Sequence, residues 1–107
     1  MLTEQQMQEI DESVVNTIKT CYDPEIPVNI YELGLIYQIR VKSDGKVDIK
    51  MTLTSPNCPA AQSLPAEVRE KVAHINDVTG VDVDIVWDPP WNPSMMSEAA
   101  RLELGLF

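Results

Sequence analysis

The fold is decided by residues 52–61, Thr52-Leu53-Thr54-Ser55-Pro56-Asn57-Cys58-Pro59-Ala60-Ala61. This segment ends a β-strand, passes through a tight turn and begins a helix, because proline suits the first helical turn. A strand that leads into a helix and then into another strand returns to the same sheet by a crossover. We therefore expect a crossover here and a sheet of mixed strand direction.

Two alternating segments precede this crossover and predict an antiparallel hairpin. Apolar and polar residues alternate over residues 35–42 and 47–54, as in strands with one buried face. Between them, Ser43-Asp44-Gly45-Lys46 is a hairpin-turn sequence. A third alternating segment, residues 81–87, completes a set of three strands.

Three helices are expected around these strands. Residues 3–21 have an apolar stripe at three- and four-residue steps, and Thr3 with Gln6 matches a capping box. The second helix should run from residue 59 or 60 to about residue 75, and a short third helix over residues 93–103.

These elements predict an α+β fold. The order is α-β-β-α-β-α, in a single small domain of residues 1–107 with a three-stranded mixed sheet covered by helices on one face. The chain of 107 residues is long enough for one core. Its composition, 44% hydrophobic and 23% charged, is ordinary for a globular protein.

Acidic residues outnumber basic ones by seventeen to eight, for a net charge of -9. Phosphate binding needs a basic surface, so this charge argues against nucleic acid and against an anionic membrane as partners. It suits docking onto a basic protein. The polar, acidic first residues do not resemble a secretory signal, and two cysteines do not make a disulfide framework. We therefore expect an intracellular protein in a reducing environment.

Cys58 stands at the predicted helix N-terminus. Unpaired backbone N–H groups and the positive end of the helix dipole favour the thiolate there, which is the nucleophilic and metal-binding form. A cysteine in a small domain is also often a small buried apolar residue. From placement alone, both interpretations stay open.

Three further positions are candidates for function. Asp23 and Glu25 lie in a proline-containing loop, where paired carboxylates either ligate metal or form a solvated turn. Trp91 lies three residues after Asp88, in the proline-rich segment that follows the third strand. An indole there either contacts a partner or packs on the core. His74, the only histidine, is most simply a charge partner of the helix C-terminus.

Three ordered motifs resemble one family. They are Asp23-Pro24-Glu25-Ile26-Pro27 with Tyr31-Glu32-Leu33-Gly34-Leu35-Ile36-Tyr37, then Thr52-Leu53-Thr54-Ser55-Pro56-Asn57-Cys58-Pro59, and finally Trp87-Asp88-Pro89-Pro90-Trp91 with Ala100-Arg101-Leu102-Glu103-Leu104-Gly105. Together they resemble the iron–sulfur cluster assembly factors that include SufT, the PaaD-like proteins and the eukaryotic cytosolic targeting-complex subunit. The PaaD-like branch has additional C-terminal cysteines, which this sequence lacks, so the SufT-like single-domain branch is expected.

The resemblance implies an accessory or carrier factor in iron–sulfur protein maturation in the cytoplasm, and not an enzyme. It places the family's cysteine at Cys58, its acidic motif at Asp23 and Glu25, and its threonine at Thr54. Cys21 has no counterpart in the motif. The implied cargo is iron or a transient iron–sulfur cluster, and the implied partners are an iron–sulfur scaffold and client apoproteins.

The chemistry of a single cysteine limits this hypothesis. One thiolate cannot complete the ligation of a cluster, so a homodimer, a partner, a small thiol or carboxylates must supply the rest. A thiol enzyme would need a base near Cys58. Its one candidate, His74, would lie roughly 24 Å away along a continuous helix. A protein-interaction adaptor with a structural Cys58 remains the alternative.

Overall fold

The computed structural model describes residues 1–23, 26–54 and 63–105. Within these ranges the chain forms helices and strands in the order α-β-β-α-β-α, which confirms the predicted fold class. The elements are α1 (Glu4–Ile18), β1 (Ile36–Val41), β2 (Lys46–Met51), α2 (Ser63–Ala73), β3 (Gly80–Ile85) and α3 (Glu98–Glu103), with a 3-10 turn (Pro93–Met95) ahead of α3. None of these helices is long and apolar enough to cross a membrane.

The described strands form one sheet in the order β1-β2-β3. β1 and β2 are antiparallel, with Ile39 opposite Ile49, whereas β2 and β3 are parallel, with Val47 opposite Val81. Gly45 closes the hairpin with a φ of 93°, a backbone conformation that glycine adopts without a steric penalty. The mixed sheet expected from the crossover is therefore confirmed.

The core lies between the sheet and the pair of helices α1 and α2. Each contributes one buried stripe, and the central strand β2 contributes its alternate residues. The core members from these three elements are Ile10, Val14 and Ile18 of α1, Leu64, Val68 and Val72 of α2, and Val47, Ile49 and Met51 of β2. The opposite face of the sheet is charged, with ion pairs of 2.9 Å joining Lys42 to Asp48 and Lys46 to Asp82.

Helix α1 begins as expected and ends earlier than expected. The Thr3 hydroxyl accepts a hydrogen bond from the Gln6 amide at 3.1 Å, and the Gln6 side chain accepts one from the Thr3 amide at 2.8 Å. The helix ends at Ile18 instead of about Cys21. The Cys21 carbonyl instead accepts a hydrogen bond from the Ile30 amide at 2.9 Å, so the chain has already turned back.

The prediction of a single C-terminal helix over residues 93–103 is wrong. Met96 has a ψ of 145°, which is extended, and it separates the 3-10 turn from α3. The Ser97 amide donates to the carbonyl of Glu32 at 2.9 Å, and the Met96 side chain is buried in the core. These tertiary contacts outweigh local helix propensity, and Ser97 caps α3 by accepting from Ala100 at 3.1 Å.

Helix α2 is described from Ser63 and ends at Ala73, two residues before the predicted end. Residues 55–62, which include the predicted helix start, lie outside the described residues.

Candidate functional site

Two of the predicted site residues, Cys58 and Glu25, lie outside the described residues. Three lie within them. Asp23 is buried, with 4% of its surface exposed. Thr54 is half-buried, three residues beyond the end of β2. Trp91 is half-buried and packs against the hydrophobic core.

The first and third motifs are joined by two side-chain hydrogen bonds. The indole Nε1 of Trp91 donates to the carbonyl oxygen of Leu33 at 2.7 Å. The hydroxyl of Tyr37 donates to the carbonyl oxygen of Pro89 at 2.8 Å. The proline-rich exit from β3 is therefore held beside the turn that leads into β1.

The second motif leaves the sheet between these two segments. The Thr52 amide donates to the carbonyl of Leu35 at 2.8 Å, on the β1 side. The Val86 amide donates to the carbonyl of Met51 at 2.9 Å, on the β3 side. The chain that continues toward Cys58 thus starts from a point fixed on both sides by backbone hydrogen bonds.

Gly34 allows the turn before β1 to lie close against the 3-10 turn Pro93–Met95. Its φ is 82°, and a Cβ at this position would collide with the carbonyl group of Met95. Glycine avoids both the left-handed backbone penalty and this collision. The contact between Gly34 and Met95 depends on packing between residues that are distant in the chain.

The acidic loop is folded back onto the end of α1. Tyr22 and Asn29 form an isolated antiparallel bridge, and the Ile26 amide donates to the carbonyl of Asp23 at 3.3 Å. A carboxylate on a solvated turn would be exposed to solvent, whereas Asp23 is buried. The acidic motif therefore places at least one of its two carboxylates inside the protein.

Sequence reasoning did not single out Thr52 and Tyr37, whose hydroxyl groups lie near each other at the end of β2 without an assigned hydrogen bond between them. Thr52 is fully buried, and its Oγ1 has no hydrogen-bond partner among the described residues. Burial raises the pKa of the Tyr37 phenol, and the nearby Thr52 hydroxyl partly offsets this rise. Leaving a buried hydroxyl without a partner costs stability.

Cys21 lies in an environment that suppresses thiolate chemistry. Its side chain is fully buried, and burial together with the nearby Glu67 carboxylate raises its pKa to about 11. Lys71 opposes this shift and does not overcome it. Since the thiolate is the reactive form, Cys21 is poorly suited to metal binding or nucleophilic attack.

Within residues 1–23, 26–54 and 63–105, no three His, Cys, Asp or Glu side chains form a group that could hold a metal ion. His74 lies just past the end of α2, where its Nδ1 is 2.7 Å from the carbonyl oxygen of Glu70. This is the contact expected of a residue that interacts with the carbonyl end of a helix.

A family model described as "Iron-sulfur cluster assembly protein" matches residues 11–84. The chain belongs to this iron–sulfur cluster assembly family. The match covers the first motif and the second, the two segments that contain Asp23 and Cys58.

Relatives whose names state a role support this family membership. The chain is 54% identical over 95 residues to the "Fe-S protein maturation auxiliary factor" of Porphyromonas gingivalis, covering 89% of this chain and 90% of that one. It is 39% identical over 84 residues to the "Fe-S protein maturation auxiliary factor SufT" of Staphylococcus aureus, covering 78% of this chain and 96% of that one. The SufT-like resemblance is confirmed.

A solved structure also matches the fold. A domain of unknown function from Bacillus anthracis superposes with a TM-score of 0.89 at 28% sequence identity, covering 98% of this chain and 100% of that one. The two proteins therefore share this α+β architecture.

Proposed function

We propose that this protein is an accessory factor that carries iron or an iron–sulfur cluster on the Cys58 thiolate and delivers it to client apoproteins. One observation supports this best: the hydrogen bonds at Leu35 and Val86 fix the start of the Cys58 segment between the other two family motifs. A ligand on such a segment would be presented from a rigid base, which favours defined binding geometry.

The proposal assigns separate roles to the residues of the motifs. Cys58 supplies a thiolate ligand to the cargo, with Asp23, Glu25 and Thr54 as supporting groups. Trp91 contributes to a contact surface for partners. Since one thiolate cannot complete the coordination of iron, the remaining ligands come from a scaffold, a client, a small thiol or a second copy of the chain.

The protein in this proposal binds and transfers cargo without catalysing a reaction, and it works in the cytoplasm. Cys21 takes no part, because its raised pKa leaves little thiolate at neutral pH. Cys21→Ala can therefore serve as the control for Cys58→Ala in a test of iron binding.

Anaerobic reconstitution with ferrous iron and sulfide tests the ligand role. Wild type and Cys21→Ala should retain iron and sulfide after desalting, whereas Cys58→Ala should retain neither. Circular dichroism of each variant checks that the fold is kept. Equal retention by Cys58→Ala and wild type would disprove the ligand role of Cys58.

A cellular assay separates carrier from adaptor. In cells that lack the protein, Cys58→Ala should fail to restore the activity of iron–sulfur enzymes. Full restoration by Cys58→Ala, with partners still recovered by affinity purification, would instead support an adaptor with a structural cysteine.

A further inference from the structure

An open groove of about 280 Å³ lies between the acidic loop and α3. We call it the Tyr22 groove. The groove is lined by the exposed side chains of Tyr22 and Pro27 and by the buried Val28 and Ala100. Glu32 and Glu103 supply its carboxylates. The volume falls just below the ~300–1,000 Å³ of pockets that enclose small molecules. Its size suits one long side chain better than a whole cofactor.

The groove is preformed by hydrogen bonds that hold its two sides together. The Glu32 amide donates to Oδ1 of Asn29 at 2.9 Å, within the loop. The Glu32 carbonyl accepts from the Ser97 amide at 2.9 Å, which attaches the start of α3 to the same turn. A binding surface that is already ordered loses little conformational entropy when it is occupied.

The rings of Tyr22 and Pro27 give the groove an apolar surface beside its carboxylates. Tyr22 is 53% exposed, and Pro27 is also exposed. An aromatic face and a proline ring bind the apolar stem of a long cationic side chain, and the tyrosine ring attracts the cation itself.

The carboxylates remain available to a ligand. In the described part of the chain, Glu103 has no ion-pair partner within 4.0 Å, whereas Lys19 Nζ lies 3.9 Å from Oε1 of Glu32. Lys19 also lies 5.4 Å from the centre of the Tyr31 ring. A pair at that distance is weak and solvent-exposed, so Lys19 only partly neutralises Glu32.

We propose that the Tyr22 groove binds an arginine side chain on a basic segment of a partner protein. The guanidinium group is planar and donates paired hydrogen bonds to carboxylates while stacking on aromatic rings, so arginine fits better than lysine. The net charge of -9 attracts such a segment and repels nucleic acid. The groove is lined by none of the residues that the proposed function assigns to cargo binding.

A peptide titration tests the proposal. The probes are the capped pentapeptide Gly-Ala-Arg-Ala-Gly and its citrulline counterpart, which keeps the shape and loses the charge. In NMR titrations of the full-length protein, the arginine peptide should shift the amide signals of Tyr22, Ala99 and Ala100, with at least about tenfold higher affinity than the citrulline peptide. Equal affinities, or shifts confined to other surfaces, would overturn the proposal.

Matched variants separate the groove from overall charge. Glu32→Gln with Glu103→Gln should weaken arginine-peptide binding at least fivefold. The control, Glu9→Gln with Asp77→Asn, removes the same charge from another groove, of about 250 Å³, and should change affinity less than twofold. An equal loss in both double variants would show that net charge alone attracts the peptide.

One single variant completes the test. Lys19→Gln should strengthen binding of the arginine peptide, because it removes the cation that competes for Glu32. Unchanged or weaker binding by Lys19→Gln would contradict a role for the Glu32 carboxylate.

Discussion

Trp91 donates a hydrogen bond from its indole Nε1 to the carbonyl oxygen of Leu33 at 2.7 Å, across 58 residues of sequence. Leu33 lies in the turn before β1, and Trp91 lies in the exit from β3. This bond and the one from Tyr37 to Pro89 join the segments that flank the edge strands β1 and β3, on either side of the central strand β2 that precedes the Cys58 segment. The point from which the Cys58 segment starts is thus held in place by residues that are far apart in the sequence.

Removing the indole N–H should destabilise the fold. In Trp91→Phe the carbonyl of Leu33, a fully buried residue, loses its indole donor, which should cost about 1–3 kcal/mol of unfolding free energy. Urea denaturation measures this change. Trp87→Phe is the matched control, because Trp87 is 46% exposed, and its effect should stay within about 0.5 kcal/mol. Equal losses in the two variants would contradict a special role for the Trp91 hydrogen bond.

A methyl group at Gly34 should be harmful for two separate reasons. Gly34→Ala places an alanine at a φ of 82°, with a penalty of about 1–2 kcal/mol, and also forces its Cβ against the Met95 carbonyl. Gly105→Ala provides the control, since Gly105 has a φ of 73° and no atom of the described residues lies within 4 Å of the added Cβ. Thermal unfolding should show a larger loss for Gly34→Ala. A loss no greater than that of the control would mean that the Met95 contact adjusts freely.

Replacing the Thr52 hydroxyl with a methyl group should stabilise the protein. Thr52→Val keeps the shape of the side chain and removes a buried hydroxyl that has no hydrogen-bond partner among the described residues. Thr79→Val should have the opposite effect, a loss of about 0.5–1.5 kcal/mol, because the Thr79 hydroxyl donates to the carbonyl of Asp44 at 3.0 Å. A lower melting temperature for Thr52→Val would show that its hydroxyl has a stabilising contact.

The raised pKa of Cys21 predicts a loss of stability at high pH. The folded protein holds the thiol proton up to about pH 11, whereas the unfolded chain releases it from about pH 9. The stabilisation is therefore complete below pH 9 and is lost as the pH rises toward 11. Urea unfolding of wild type and Cys21→Ala at pH 8, 9.5 and 10.5 isolates this effect from other titrating groups. A difference between the two proteins that does not change with pH would contradict the prediction.

The same shift predicts low reactivity of Cys21. Since reagents attack the thiolate, a pKa of about 11 in place of 9.0 lowers the reactive fraction about 100-fold at pH 8. Iodoacetamide should therefore label the folded Cys58→Ala protein slowly and the urea-unfolded protein quickly. Mass spectrometry measures the two rates. Equal labelling rates would show that Cys21 is neither buried nor shifted.

Much of the fold follows from local patterns. Period-two alternation predicted three strands, and the Thr3–Gln6 capping box located the start of α1 to within one residue. The errors lie where distant residues override local preference. The predicted C-terminal helix is interrupted at Met96, because Ser97 bonds to Glu32 and Met96 enters the core.

The candidate site was only partly predictable. The motifs identified the residues to consider, and the family assignment that they suggested is confirmed by the match over residues 11–84. The buried state of Asp23, the proximity of Thr52 to Tyr37 and the raised pKa of Cys21 were not predictable. Each depends on which atoms surround a side chain after packing.

By itself, the sequence determined the fold class, the order of the elements and the family, because hydrophobic periodicity, turn residues and ordered motifs are local properties of the chain. Only the tertiary structure decided that Trp91 bonds to Leu33 and that Glu32 and Glu103 line one groove. A sequence pattern specifies which face of an element is buried. It does not specify which donor meets which carbonyl, since that depends on the packing of elements that are far apart in the chain.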